Sequence, residues 1–129
     1  MAEGFPATTG DIFTAADYNG LVAFTIGAAQ TVDYTAVIAD TYQVLELMNK
    51  GTAIAYKIPT NASVAFPIGT VLNILNIGAG LCTISAVTPG TTTVLSAGAV
   101  AASPTLAQYK SAACIKTATD AWYVVGAIG

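Results

Sequence analysis

The chain has 129 residues, enough for one domain, and only 9% of them are charged, against about 25% in an average globular protein. Arg and His are absent and the formal charge is −3, so the sequence lacks the cationic patch that nucleic-acid binding needs. A surface with so few charges favours packing against other protein surfaces.

No charged residue occurs between Lys57 and Lys110. This stretch does not predict a membrane span, because polar and helix-breaking residues such as Asn73 and Pro89 interrupt every apolar run of about 18 residues. The first six residues have neither a basic start nor an apolar core, so we expect no secretion signal and synthesis in the cytoplasm.

Residues 1–13 are predicted to form an extended arm, because glycine and proline interrupt regular structure there. Its larger side chains, Phe5, Pro6, Ile12 and Phe13, are the candidates for contact with a partner. Residues 14–28 are predicted to form a short helix and a linker. The helix begins with Thr14 as a capping residue and Asp17 in its first turn.

Residues 29–129 predict a single all-β domain, a sandwich or barrel of about eight short strands. Glycine and proline turns separate the runs with strand character: Gln30–Tyr34, Val44–Met48, Ala53–Ile58, Val71–Ile77, Leu81–Ala86, Thr92–Ser96, Gln108–Lys116 and Trp122–Ile128. Asn49–Gly51 is interpreted as a turn from which the next strand returns. No internal repeat is clear enough to predict a solenoid.

The residues that usually carry catalysis or bind metals are scarce. Without histidine, the commonest general base and metal ligand is missing. Asp40 and Asp120 precede predicted strands, where aspartate commonly caps backbone N–H groups. We therefore expect no enzymatic activity, no metal and no cofactor. Gly78–Gly80 lacks the third glycine and the helix of a dinucleotide-binding loop, and is interpreted as a turn.

Cys82 and Cys114 lie in apolar predicted strands. Buried free thiols acting as small hydrophobic side chains are the first interpretation. A disulfide stays open as the alternative if the two strands are neighbours, although cytoplasmic synthesis disfavours it.

Several apolar residues are candidates for the oligomer interface or the core: Val71, Ile74, Ile77, Trp122 and Tyr123. Trp122 and Tyr123 are adjacent on one predicted strand, so their side chains must point to opposite faces. One of them should be core and the other should face solvent or a partner. Aromatic side chains also stack on sugars, so glycan binding is the minor alternative.

Six short segments resemble a β-domain of tailed-phage structural proteins. They are Asp40–Asn49, Ile58–Ser63, Phe66–Thr70, the Gly78–Gly80 turn, Tyr109–Lys116, and Asp120–Gly126 with its tryptophan. Gly10–Asn19 resembles a segment found near the start of phage fibre and virion proteins. The resemblance implies a trimeric component of a phage particle.

Because phage fibres are usually much longer, the resemblance favours a capsid decoration, or cement, protein. Its expected partners are further copies of the chain and the major capsid protein, and its expected location is the capsid surface of the virion. The uncharged segment 58–109 is predicted to line the subunit interface, and the arm to reach the capsid. The alternative is a short fibre, spike or receptor-binding module that contacts host glycan.

Overall fold

The computed structural model describes residues 23–96 and 104–128. The predicted arm, with Phe5, Pro6, Ile12 and Phe13, lies outside the described residues, as does the predicted helix up to residue 22. The predicted linker is wrong at its end, because a strand already begins at Thr25. Here Gly27 allows close approach to the neighbouring strand: a β-carbon on it would lie 3.3 Å from the Leu45 carbonyl oxygen.

The described residues form ten strands in two sheets and one short 3-10 helix. This confirms the predicted all-β, sandwich-like class, with two strands more than the eight or so expected. In chain order they are β1 (Thr25–Gln30), β2 (Tyr34–Thr35), η1 (Ile38–Thr41), β3 (Val44–Met48), β4 (Ile54–Ile58), β5 (Val71–Asn76), β6 (Cys82–Ala86), β7 (Thr93–Ser96), β8 (Thr105–Leu106), β9 (Lys110–Ala118) and β10 (Ala121–Gly126).

The strands form a six-stranded sheet A, in the order β1-β3-β5-β9-β10-β7, and a four-stranded sheet B, in the order β2-β4-β6-β8. Up to β6, successive strands alternate between the sheets, and each pairs in parallel with the strand two places along the chain. The chain therefore winds as a coil. The hairpin expected after Asn49–Gly51 is wrong, because β3 and β4 belong to different sheets.

The coil is irregular, which explains why no repeat is visible in the sequence. Leu45 pairs with Asn73 and Ile54 with Cys82, a spacing of 28 residues in both sheets. The preceding turn of the coil is shorter, since Thr25 pairs with Val44 at a spacing of 19 residues. Two unequal turns are too few to give the fixed period that marks a repeat protein.

A buried asparagine holds the turn between β5 and β6 in place. The Asn76 side chain is fully buried, and its Nδ2 donates to the carbonyl oxygens of Gly80 and Leu106, both at 2.9 Å. Its Oδ1 accepts from the Gly78 N–H at 3.1 Å. A β-carbon at Gly80 would lie 1.8 Å from the Thr52 carbonyl oxygen. Only glycine therefore allows the turn before β6 to pack on the turn before β4.

The antiparallel strands β9 and β10 complete sheet A. They pair with each other, and they join β5 on one side to β7 on the other. The core lies between the two sheets, where alternate residues of each strand point inward. Trp122 is 2% exposed and packs edge-on against Phe66, with the ring centroids 5.5 Å apart.

Candidate interaction surface

The outward face of sheet A is continuous and mostly apolar. Side chains of paired strands stand side by side on one face of a sheet. One row across the sheet runs through Val71, Ile115, Tyr123 and Leu95. In the described strands, this row joins β5, β9, β10 and β7 without a charged residue.

A second outward row lies beside the first and extends to the edge strand β1. It runs through Ile26, Leu45, Asn73, Ala113 and Val125. Ile26 is 60% exposed and Val125 is 42% exposed, so the row is open to solvent in the isolated chain. Two adjacent rows of this kind make a broad apolar surface rather than isolated exposed residues.

The three charged residues in the strands of sheet A all occupy the inward register. Glu46 pairs with Ile74, Lys110 pairs with Asn76, and Lys116 pairs with Trp122, and these three partners are all buried. The outward face of the described sheet A consequently carries no charge. We name this face, with the two rows given above, the apolar face.

The structure separates the residues predicted for the interface or core. Ile74 and Trp122 lie in the core, whereas Val71 and Tyr123 lie on the apolar face with 43% and 47% of their surfaces exposed. Ile77 follows the end of β5 and is partly buried. Trp122 and Tyr123 thus point to opposite faces, as their adjacency predicts.

The uncharged segment 58–109 does not form a single surface. Its strands β5 and β7 belong to sheet A, and β6 and β8 belong to sheet B. Within each strand, alternate residues point into the core. The prediction that segment 58–109 lines the interface is therefore replaced. The candidate interface is the apolar face, which also includes residues of β1, β3, β9 and β10.

The outward face of sheet B has a different chemistry. One row runs through Thr35, Lys57 and Ser85, and the next through Ala55, Thr83 and Thr105. Lys57 forms an ion pair with Asp33, with 3.9 Å between Nζ and Oδ2. Hydroxyl groups and an ion pair suit a face that stays in contact with water.

A buried polar cluster lies between the two sheets at the first turn of the coil. Asp40 and Glu46 are each only 5% exposed. The Asp40 carboxylate accepts from the Tyr34 hydroxyl at 2.9 Å and from the Val37 N–H at 3.0 Å, which fixes the start of η1. Gln30 Nε2 donates to Glu46 Oε1 at 3.4 Å.

Burial, with a smaller contribution from the neighbouring Asp40, raises the pKa of Glu46 to about 6. Burial also raises the pKa of Tyr34, which donates to the same aspartate. Two neighbouring carboxyl groups can act as the general acid and general base of a catalytic site, but such a site must also be accessible to a substrate. The surface depression beside η1 is lined by Val37, Ile38, Ser63, Val64 and Ala65, without either acid.

Cys82 and Cys114 are both buried and free, as the first interpretation from the sequence has it. Burial raises the pKa of the Cys82 thiol to about 11 and that of the Cys114 thiol to about 12. Thiols held protonated in this way are poor nucleophiles and poor metal ligands. Within residues 23–96 and 104–128, no group of three or more Cys, His, Asp or Glu side chains is placed to hold a metal ion.

Sequence reasoning missed most of the apolar face and the buried position of Lys116, which is 2% exposed. Alternation along β9 could have found the latter, because Ala112, Cys114 and Lys116 share one parity. Alternation could also have placed Ile115 and Ala113 on one face of β9. It could not have matched them with residues of other strands, because the pairing partners were unknown.

No helix in the described parts of the chain is long and apolar enough to cross a membrane. Comparison with family models, with curated proteins and with solved structures finds no match for this chain. The apolar face is therefore the feature of the described residues that bears most directly on function.

Proposed function

We propose that the protein is a non-enzymatic structural component that assembles with copies of itself through the apolar face of sheet A. The main supporting observation is the six-stranded sheet A, whose outward face carries no charge in the described strands. This holds for both rows across the sheet, the one that starts at Ile26 on β1 and ends at Val125 on β10, and the one that starts at Val71 on β5 and ends at Leu95 on β7. Such a face in water promotes association, because apolar area removed from water stabilises by about 25 cal/mol per Å².

The size of the face suits a specific interface. Six strands about 4.8 Å apart, each about 20 Å long, cover roughly 600 Å² in projection. Standard protein–protein interfaces bury about 800 Å² per partner. Since side chains give the sheet more accessible area than its projection, the apolar face can supply such an interface by itself.

The assembly we propose is a phage particle, with the chain as a homotrimeric decoration protein on the capsid. The resemblance of Asp40–Asn49, Phe66–Thr70 and Asp120–Gly126 to phage structural domains supports this assignment. In this function the apolar face joins the subunits. The arm, residues 1–13, contacts the major capsid protein.

The proposed mechanism is mechanical. A trimer that touches several capsid subunits at once converts modest single contacts into firm attachment, because each further contact is intramolecular once the first has formed. No catalytic step is required. The enclosed Asp40 and Glu46 pair, which the surface depression does not reach, is consistent with that assignment.

Two measurements test the proposal. Sedimentation equilibrium of the purified protein should give a stable trimer, and mass spectrometry of purified particles should count hundreds of copies of the chain per particle. A monomer at micromolar concentration would overturn self-assembly through the apolar face. A count of only a few copies would overturn decoration in favour of a fibre or spike.

Deleting residues 1–13 tests the arm separately. The truncated protein should still form the trimer, because the apolar face is intact, but should no longer bind capsids. Undiminished capsid binding by the truncated protein would remove the arm from the proposed function.

The second candidate, a glycan-binding module of the particle, rests on the exposed tyrosines. Tyr42 and Tyr109 are 72% and 74% exposed, which leaves their rings free to stack on sugar. Loss of cell binding in Tyr42→Ala or Tyr109→Ala, with the trimer preserved, would favour this candidate.

A further inference from the structure

Lys116 is a lysine in the core with unusual surroundings. It lies near the end of β9, is 2% exposed, and pairs in register with the buried Trp122. Its Nζ donates to the carbonyl oxygen of Phe66 at 2.7 Å and to Oδ1 of Asn61 at 2.5 Å. The ion pair found among the described residues, Lys57 with Asp33, does not involve it.

This environment does not fit an ordinary structural lysine. An ammonium group removed from water costs several kcal/mol unless an opposite charge repays the cost. The partners of Lys116 among the described residues are two neutral carbonyl oxygens. Burial in contact with a carbonyl group is also an arrangement in which a lysine side chain can act as a nucleophile.

The partner residue presents an electrophile. Oδ1 of Asn61 is bonded to the carboxamide carbon Cγ, so the short contact places the amine beside that carbon. Asn61 lies on the loop between β4 and β5, 55 residues before Lys116. A reaction between them would join this loop covalently to β9.

Both residues are fixed by backbone hydrogen bonds. The Lys116 N–H donates to the Thr70 carbonyl oxygen at 2.9 Å, and its own carbonyl oxygen accepts from the Gly69 N–H at 2.8 Å. The Asn61 N–H donates to Oδ1 of Asp120 at 2.8 Å. Groups held in contact react far faster than the same groups free in solution.

The Asp120 carboxylate lies beside the backbone of Asn61. Its Oδ1 also accepts from the Thr92 hydroxyl at 3.0 Å, and its backbone has a φ of 54° in the turn between β9 and β10. Asparagine and aspartate are the non-glycine residues that adopt this left-handed conformation most readily. The turn therefore holds the carboxylate against the backbone N–H of Asn61.

We propose that Lys116 and Asn61 form an intramolecular isopeptide bond. The Nζ–Cγ bond forms, the Cγ–Nδ2 bond breaks, and ammonia leaves. One proton passes from Nζ to the departing Nδ2, with the Asp120 carboxylate as its carrier. The reaction consumes no oxidant or other reagent, and it does not depend on the proposed role in a particle.

The test is the intact mass and a tryptic digest of the purified full-length protein. The mass should be lower than that of the sequence by one molecule of ammonia. Trypsin should release 1–50 and 51–57, while 58–110 and 111–129 stay joined as one branched fragment, because the modified Lys116 is no longer a cleavage site. An unchanged mass, or separate fragments 58–110, 111–116 and 117–129, would overturn the bond.

Loss of ammonia with normal cleavage after Lys116 would also overturn it, since a cyclised asparagine has the same mass. Lys116→Arg and Asn61→Ala should each show the full mass of their own sequence. In both variants trypsin should cleave after residue 116 and release 58–110 as a separate fragment. Lys57→Arg is the matched control, and it should still lose ammonia, because Lys57 lies on the outer face of sheet B.

Asp120→Asn tests the proton carrier. Asparagine retains an oxygen that can accept from the Asn61 N–H and tolerates the same backbone conformation, but it cannot relay the proton. The branched fragment should fall at least tenfold in yield in freshly made protein. Equal yield in this variant would overturn the role of Asp120.

Discussion

The two sheets share one construction and differ in what they show to the outside. In both, alternate residues point into the core, and parallel pairing stacks one turn of the coil on the next. Outward, sheet A presents Ile115, Tyr123 and Val125, whereas sheet B presents Lys57, Thr83 and Ser85. The inward pattern determines the fold, and the outward pattern determines which face can associate.

The first prediction compares the two sides of sheet A within one strand. Ile74→Ala should lower the free energy of unfolding by about 2–5 kcal/mol, because it empties a fully buried site in the core. Val71→Ala, on the apolar face, should cost the folded monomer less than about 1 kcal/mol. Urea unfolding of both variants at low protein concentration measures the difference, and equal losses would contradict the assignment of the two sides.

The second prediction compares the outward faces. Tyr123→Lys combined with Val71→Lys should weaken self-association by about 100-fold or more, because both charges would be buried unpaired between subunits. The matched control is Thr83→Lys combined with Ser85→Lys on sheet B, which should leave association unchanged. Sedimentation equilibrium distinguishes them, and equal weakening by both pairs would show that the apolar face has no special role.

The third prediction concerns the cluster between the sheets. Because the pKa of Glu46 is raised in the folded state, the folded protein binds this proton more tightly than the unfolded chain does. Stability should therefore fall as the pH rises from about 4.5, where glutamate ordinarily titrates, to about 6.

Glu46→Gln tests this directly. The variant should be more stable than the wild type by about 1–2 kcal/mol at pH 7–8, and the difference should disappear below pH 4.5. Thermal unfolding followed against pH measures it. A constant difference at every pH would mean that the glutamate acts by packing rather than by titration.

The smallest effect is expected on the outward face of sheet B. Lys57→Ala removes the ion pair with Asp33, whose side chains are 41% and 54% exposed for lysine and aspartate. The free energy of unfolding should change by less than about 0.5 kcal/mol, because exposed ion pairs contribute little. A larger loss in urea unfolding would give sheet B a structural role that its outward residues do not suggest.

Much of the strand content could be predicted from the sequence. Val44–Met48 was predicted with its observed bounds, and most other strands within two residues, because apolar alternation and glycine turns are local signals. The sheet topology could not be predicted in this way. Alternation states which side of a strand is buried, but it does not name the strand's neighbour.

The candidate site shows the same limit. Val71, Ile74 and Ile77 were grouped as apolar residues of one predicted strand, yet side chains three apart on a strand point to opposite faces. Adjacency alone separated Trp122 from Tyr123, but it could not say which was buried. The partner of Lys116 comes from a loop 55 residues away, and no local pattern predicts such a contact.

The strand order of sheet A has a consequence for how the protein is made. The hairpin of β9 and β10 lies in the middle of the sheet, between β5 and β7, although it follows the other described strands in the chain. Earlier turns of the coil can pair as they leave the ribosome, but among the described strands β7 pairs within sheet A only with β10. A chain that stops before residue 121 would lack the strand that pairs with β7, so sheet A takes up β7 only after β10 has been synthesised.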